Sequence, residues 1–429
     1  MKVLIVSHNP VSTYNGMGKT IATFFSEFEK TELCQFYIYP SLPDLDICNS
    51  YYRVTDKDVL RSLVTFSAPG GKVPAHQIGG APAVFEDAND QKIYTNKKNK
   101  RPFRILLRDA MWRCARWYNR GLKQWLEEEK PDCIFLAPGG AKFIYDVALK
   151  IASKRNIPIV TYIADEYYFV EPEKGLLGKW QLFALKKKMR RTLTASAHIV
   201  TISKELEELY GKTFGSPTVA IMTGSGYPLA QSPRTAESVT RVSYFGNIAY
   251  HRYLSLARIG RALDEINREL GTDIPLEIYS AQVDEQVATV FENIRSVRWM
   301  GFISGAAFEE KFFSAQLLVH TESFEQEDVN LVKHSVSTKI ADSLTVGIPL
   351  FAYGPDNISS MKHLIRNQCA VTVTSDDGLV MALKAALQQP QALAEVVQRA
   401  LQTAAEYHDK KKNSGKLRAI FEEIEEKRA

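Results

Sequence analysis

Cysteine is scarce: Cys34, Cys48, Cys114, Cys133 and Cys369 are the five in 429 residues, an odd number with no C-x-x-C spacing. That pattern argues against a disulfide framework or a zinc ribbon and for a reducing, cytoplasmic compartment. The eight histidines are scattered, with no H-E-x-x-H pair. No uninterrupted apolar run reaches about 18 residues, so no membrane-spanning helix is expected. The opening run VLIV is too short for a secretory leader. The charge excess is small: 54 basic against 49 acidic residues leave +5, too little for a dedicated nucleic-acid binder. What remains is an ordinary globular composition, 45% hydrophobic and 24% charged, which argues against bulk disorder. At 429 residues the chain outgrows one simple core and predicts at least two domains.

Short β-rich runs alternate with longer helical patterns. Strands are predicted at 2–7 (KVLIVS), 34–39, 132–137 (DCIFLA), 157–163 (IPIVTYI), 198–202 and 219–222. A second series follows at 241–245 (RVSYF), 276–280, 297–300, 317–320, 349–352 and 370–373. Buried strands separated by helices indicate mostly parallel sheets covered on both faces. Residues 226–240 have the composition of a linker. The sequence therefore divides into an α/β domain over 1–225, that linker, and a second α/β domain over 241–413. A charged amphipathic helix over 414–429 is a candidate to pack back on the first domain. Residues 67–83, with seven Gly or Pro, predict a loop.

Three segments could carry chemistry. In Asn15-Gly16-Met17-Gly18-Lys19-Thr20, glycines open a helix whose N-terminal amides could approach a phosphate. The ending Gly-Lys-Thr is like a P-loop, but Thr13 stands where that loop needs its first glycine. Ser337 and Thr338 suit a helix N-cap, and Gly347-Ile348-Pro349 ends that helix. Lys339 falls in its first turn, where the helix dipole disfavours a cation unless an anion is bound. Asp342, three residues on, shares its face. Phe245-Gly246-Asn247, with Arg252 behind it, stands at the end of the second domain's first strand, where open α/β sheets place their ligand crevice. Each segment also has a plain structural reading as a tight turn or a capped helix.

Together these motifs resemble the retaining GT-B glycosyltransferases of family 4, or group 1, which build bacterial polysaccharides. The resemblance implies two Rossmann-like doubly wound domains facing across a cleft. Its first glycine loop matches Gly16-Met17-Gly18. Its Gly-Arg and following Lys, which face the donor diphosphate, fall on Gly246, Asn247 and Arg252, with Asn247 in place of the usual Arg. Its two acids fall on Glu322 or His334 for the first and Asp342 for the second, the one that holds ribose hydroxyls. Glu322 is favoured because it follows a strand and precedes a Phe. The segment that reads the nucleotide base resembles residues 297–302, including Gly301 and Phe302. Ser280-Ala281 replaces the family's glycine-rich turn. The implied catalytic set is Asp165, Glu322, Arg252 and Lys339. The implied donor-binding set adds Gly16, Met17, Gly18, Gly246, Asn247, Gly301, Phe302, Ser337, Thr338 and Asp342.

Asp165, in Ala164-Asp165-Glu166, ends a strand, where a carboxylate can bind sugar hydroxyls or take a proton. Gly139-Gly140 ends another. Asp44-Leu45-Asp46 imitates a metal-binding D-x-D but sits in a Pro-flanked loop, so no obligatory metal or cofactor is expected. Residues 97–123 hold ten Lys or Arg and one acid, Asp109. On helical spacing Phe103, Leu107, Met111, Cys114, Tyr118, Leu122 and Trp125 form an apolar stripe. Arg104, Arg108, Arg116, Arg120 and Lys123 form a basic one, with Trp112 inside it. A second cationic run spans 186–191. Such stripes suit a peripheral contact with an anionic membrane or a lipid-diphosphate acceptor, and equally a core helix with a solvated basic face.

The expected activity is transfer of a sugar from a nucleotide diphosphate sugar to a saccharide or lipid-linked acceptor, for cell-surface polysaccharide. Rivals are a GT-B nucleotide-sugar epimerase, a P-loop-like ATPase or kinase, and a non-catalytic sugar-nucleotide sensor.

Overall fold

The computed structural model describes residues 1–13, 16–80, 102–170, 175–281 and 285–428. The chain divides into two units, one of residues 1–222 and 410–429, the other of residues 223–409.

The first unit is built on an eight-stranded sheet: β1 (Val3–Ser7), β2 (Leu33–Tyr37), β3 (Ser50–Arg53), β4 (Gly71–Lys72), β5 (Cys133–Ala137), β6 (Ile159–Ile163), β7 (His198–Thr201) and β8 (Thr218–Ala220). Their spatial order is β4-β3-β2-β1-β5-β6-β7-β8. All pairs are parallel except β3 with β4. β1, β2, β5 and β6 are buried along their whole length, which explains why they read as mostly apolar runs, broken at Gln35 and Thr161. The short β3 and β4 were not among the expected strands. β4 lies within the Gly/Pro-rich segment expected to be a loop, whose end at 81–83 is outside the described residues.

The second unit carries β9 (Val242–Phe245), β10 (Leu276–Tyr279), β11 (Val297–Trp299), β12 (Leu318–Thr321), β13 (Leu350–Tyr353) and β14 (Val371–Val373). Their order is β11-β10-β9-β12-β13-β14, parallel throughout. Numbered within the unit, that is 3-2-1-4-5-6, the doubly wound order of dinucleotide-binding sheets. Each sheet reverses its winding beside its first strand, between β1 and β5 and between β9 and β12.

Two expectations change. Residues 226–240 are part of the second unit: the amides of Ala230 and Arg234 bond to the carbonyls of Thr345 and Gly347 at 2.9 and 2.6 Å. The basic stripe does not run through one helix. Its start at 97–101 lies outside the described residues, and the rest forms two helices, Pro102–Cys114 and Arg120–Glu129. The Asn119 side chain caps the second by accepting the Leu122 N–H at 3.0 Å. In the first of these helices the expected faces are also partly exchanged, while in the second Leu122 and Trp125 are buried and Arg120 and Lys123 exposed as expected. Asp56 takes the Arg108 Nε–H at 2.9 Å and the indole N–H of the buried Trp112 at 2.7 Å. That pulls Arg108 and Trp112 inward and leaves Phe103 and Leu107 exposed. Helical periodicity within the segment carries no trace of an acid supplied from another helix.

The C-terminal helix Lys410–Glu426 packs against Gly16–Phe24 in the first unit. Its Phe421 is buried among Phe25, Phe28 and Phe135, ring centroids 6.0–6.5 Å away. Phe421→Ala should therefore open a cavity in the first unit's core and cost about 3–5 kcal/mol. A denaturant melt reporting on that unit checks this, and a loss below 1 kcal/mol would contradict the packing.

Candidate functional site

The polar groups of the second unit converge where its sheet reverses. Gly246 follows β9 with φ +141, a conformation that favours glycine. A Cβ there would stand 1.9 Å from the Lys339 Nζ, so the glycine is required by the close passage of the Lys339 chain. Lys339 comes from the first turn of the helix Thr338–Thr345, and its ammonium lies 5.4 Å from the centre of the Tyr244 ring. Burial, then the positive charge of Arg252, lowers its pKa to about 8.

Arg252 begins the helix Arg252–Leu270. Its Nε–H and Nη2–H both donate to Glu322 Oε2, at 2.9 and 2.7 Å. Glu322 follows β12 and is 2% exposed. Its amide donates to the Tyr353 carbonyl at 3.0 Å, its carbonyl accepts from Ser255 Oγ at 2.8 Å, and His320 Nε2 lies 3.3 Å from Oε1. Burial alone would raise the Glu322 carboxyl, but Arg252 and His320 outweigh it and hold the pKa at about 2.

Asn247, in the place of the resembled family's Arg, has its side-chain carbonyl turned to the Ala249 N–H at 2.5 Å. It shapes the turn into Arg252. Tyr250 and His251 in that turn are both left-handed, with φ 55 and 47, a strain of the kind held where surroundings over-determine the backbone. His251 Nδ1 is 2.7 Å from Asp328, which anchors the turn to the helix Gln326–Val332. Ser337 occupies the N-cap of the Lys339 helix without a capping side-chain bond. Its amide instead donates to Ser360 Oγ at 3.0 Å. Asp342 is also buried, but its Oδ1 accepts from Ser225 Oγ and the Gly226 amide, both at 3.0 Å. These bonds hold residues 225–226 to the Lys339 helix. Gly301, φ +79, and the exposed Phe302 follow β11. It is Glu322 that contacts Arg252.

In the first unit the chain brings Met17, Gly139 and Asp165 to one shallow pocket beyond β5 and β6, with Tyr145 and Tyr167 beside them. Asp165 accepts from Tyr167 O–H at 3.2 Å. The neighbouring Glu166 was not singled out in the sequence. Buried, it accepts the amides of Tyr168 and Phe169 at 2.5 and 2.6 Å and Tyr210 O–H at 3.2 Å, and burial raises its pKa. An acid followed by Tyr-Tyr-Phe just past a strand was the available signal.

The P-loop reading fails on local geometry. A Cβ on Gly18 would meet the Pro10 carbonyl at 2.6 Å, so that glycine serves chain packing. The Thr20 hydroxyl bonds back to the Gly16 carbonyl at 2.9 Å. Tyr14 and Asn15 lie outside the described residues. The two acids of Asp44-Leu45-Asp46 face different partners, Thr13 and Lys30.

Because Glu322 titrates near 2 when folded and near 4.5 otherwise, its charge contributes stability that is fully present above pH 4.5 and lost as pH falls toward 2. That contribution is about 3 kcal/mol. Glu322→Gln should cost about that much at pH 7, since Arg252 is left buried without its counter-charge. The gap between wild type and variant should close as the pH is lowered through this window. Denaturant melts across pH check it, and a gap independent of pH would disprove the pairing.

No family model matches the sequence, and no curated protein matches it. Solved structures do. HepE from Anabaena, in complex with UDP, is 11% identical and covers 99% of this chain and 100% of its own, with a TM-score of 0.62. The UDP-forming α,α-trehalose-phosphate synthase of Burkholderia xenovorans, with glucose-6-phosphate, is 11% identical over 98% of this chain and 100% of its own, TM-score 0.61. Sucrose-phosphate synthase from Thermosynechococcus elongatus is 12% identical over 98% of both chains, TM-score 0.59. At such identity the likeness is one of fold. Over its whole length the chain has the GT-B fold, two Rossmann-like units, that these glycosyltransferase structures share.

Proposed function

We propose that the chain is a glycosyltransferase that moves a sugar from a nucleotide diphosphate sugar to a saccharide or lipid-linked acceptor. One observation carries this reading: two cations, Lys339 and Arg252, stand at the reversal point of the second sheet with one buried carboxylate, Glu322, which is paired to Arg252. Burial, and then the positive charge of Arg252, makes Lys339 easier to deprotonate, and a bound diphosphate would offset the second. The N-terminal amides of the Lys339 helix add the same preference for an anion. Solved structures of the same fold hold UDP and UDP-glucose, which supports a nucleoside diphosphate as that anion. The exposed Phe302, beyond the edge strand β11, suits stacking on the base.

The reaction needs a departing diphosphate and an electron-poor sugar carbon to be stabilised together. Negative charge on the leaving phosphate grows as the glycosidic bond breaks, so Lys339 and Arg252 interact more strongly with the transition state than with the bound donor. Glu322 acts through Arg252: buried and doubly bonded to it, the carboxylate positions the guanidinium. Asp342 acts similarly at one remove, by holding Ser225 and Gly226. In the first unit, Asp165 at the end of β6 is offered to an acceptor hydroxyl. Retention of configuration, a role in cell-surface polysaccharide and a cytoplasmic setting complete the reading. They rest on the family resemblance, and the setting also on the five free thiols.

Lys339→Ala should lower kcat by about 10²-fold with a smaller change in donor KM. Gly246→Ala should do much the same, because a Cβ there displaces the ammonium. Steady-state kinetics with UDP-sugars, and protection of the wild type by UDP against heat, test the reading together. Unchanged kcat in both variants, with chemistry rate-limiting, would remove Lys339 from the mechanism. NMR of the product separates transfer from epimerisation and reports its anomeric configuration.

A further inference from the structure

The helix Leu176–Ala195 of the first unit presents the wrong side to solvent for an ordinary surface helix. Its buried residues Gly178, Gln181, Met189 and Thr192 share one side. Leu176, Trp180 and Phe183, with Lys187 after them, share the opposite side at i, i+4, i+7 and i+11. Those three apolar side chains are 87%, 52% and 67% exposed. The helix holds six cations, Lys179, Lys186, Lys187, Lys188, Arg190 and Arg191, and no acid.

The helix Pro102–Cys114 repeats the arrangement. Phe103 and Leu107, 67% and 53% exposed, lie on the side opposite the buried Trp112, and Arg104 and Arg113 flank them. The two helices pack together, and Lys142 ties them. Its ammonium lies 2.6 Å from Asp109 of one helix and 5.4 Å from the Trp180 ring centre of the other. That contact also neutralises Asp109, the acid of this basic region.

We infer that these two helices form a docking face for an anionic lipid bilayer, with Trp180, Phe183, Leu176, Phe103 and Leu107 entering the headgroup boundary. The surrounding cations meet the lipid phosphates. Exposed aromatic and aliphatic side chains centred between cations are the pattern of an interfacial helix. Large exposed apolar groups gathered on one face mark an interaction surface, and the cations select its partner, since each near an anionic leaflet adds attraction. The face belongs to the unit expected to receive the acceptor. It rests on the proposed transferase reading only in that a lipid-linked acceptor would give docking its purpose.

The test is sedimentation of the full chain with phosphatidylcholine vesicles, with and without phosphatidylglycerol, at low and high salt. The wild type should sediment with the anionic vesicles at low salt only. Trp180→Ser with Phe183→Ser should reduce that binding about tenfold or more, and Lys187→Glu with Arg191→Glu likewise. Both substitutions sit on exposed side chains, so unchanged melting temperatures verify the fold. A wild type indifferent to anionic vesicles would overturn the inference, and so would serine variants that bind as the wild type does. Self-association that the serine variants abolish, with no vesicle binding, would assign the face to a second copy and equally overturn it. Protection by UDP against heat, measured on the same samples, keeps the two readings apart. Its loss in a wild type that still binds vesicles would count against the transferase reading alone.

Discussion

The second unit is organised by the problem of keeping an arginine and a lysine side by side under cover. Two such cations repel, and burial penalises both. Glu322 solves half of this. Held by its own backbone in the sheet through Tyr353 and by Ser255 from the helix behind, it meets Arg252 with two N–H bonds to one oxygen. Lys339 keeps its place by crossing over a residue with no side chain, Gly246. Remove the carboxylate and the arginine loses its counter-charge; fill the glycine and the lysine loses its path. The turn that delivers Arg252 is itself held in two consecutive left-handed residues by the His251 to Asp328 contact.

The strands of both sheets were largely legible because parallel strands covered on both faces must be apolar along their whole length, and that leaves a mark on the sequence. β3 was not, for a physical reason. Its Ser50-Tyr51-Tyr52-Arg53 has no apolar run, and it is anchored from outside: Ser50 and the adjoining Asn49 donate to Glu129 at 2.5 and 2.9 Å, and Lys2 pairs with the same carboxylate. A strand held by a distant acid leaves no local pattern. The basic segment failed for the same reason, with Asp56 as the distant acid. In the second unit, Gly246, Arg252, Glu322 and Lys339 could be picked out one by one as strand ends and helix starts. That they meet follows from the 3-2-1-4-5-6 order, which short motifs cannot encode. Asp328 and Glu166 were not found, because an acid inside a loop or helix looks the same in sequence whether it faces water or a buried partner.

The reversal point of the second sheet and the ends of β5 and β6 in the first are built from different chemistry. Beyond β9 and β12 stand cations and one carboxylate; beyond β5 and β6 stand tyrosines, glycine backbone and the half-buried Asp165. The first set is matched to a ligand with concentrated negative charge. The second is mostly phenol rings and backbone, with Asp165 as its carboxylate. A fold shared by many enzymes does not choose its substrates; the residues set at its strand ends do. Glu166 shows how the second set is kept in form. Its burial raises the carboxyl's pKa while three N–H and O–H donors oppose that shift, and those three bonds hold the loop 165–169. The sheet thus supplies the place, and the buried acids, Glu322 in one unit and Glu166 in the other, hold the segments around them through several hydrogen bonds each.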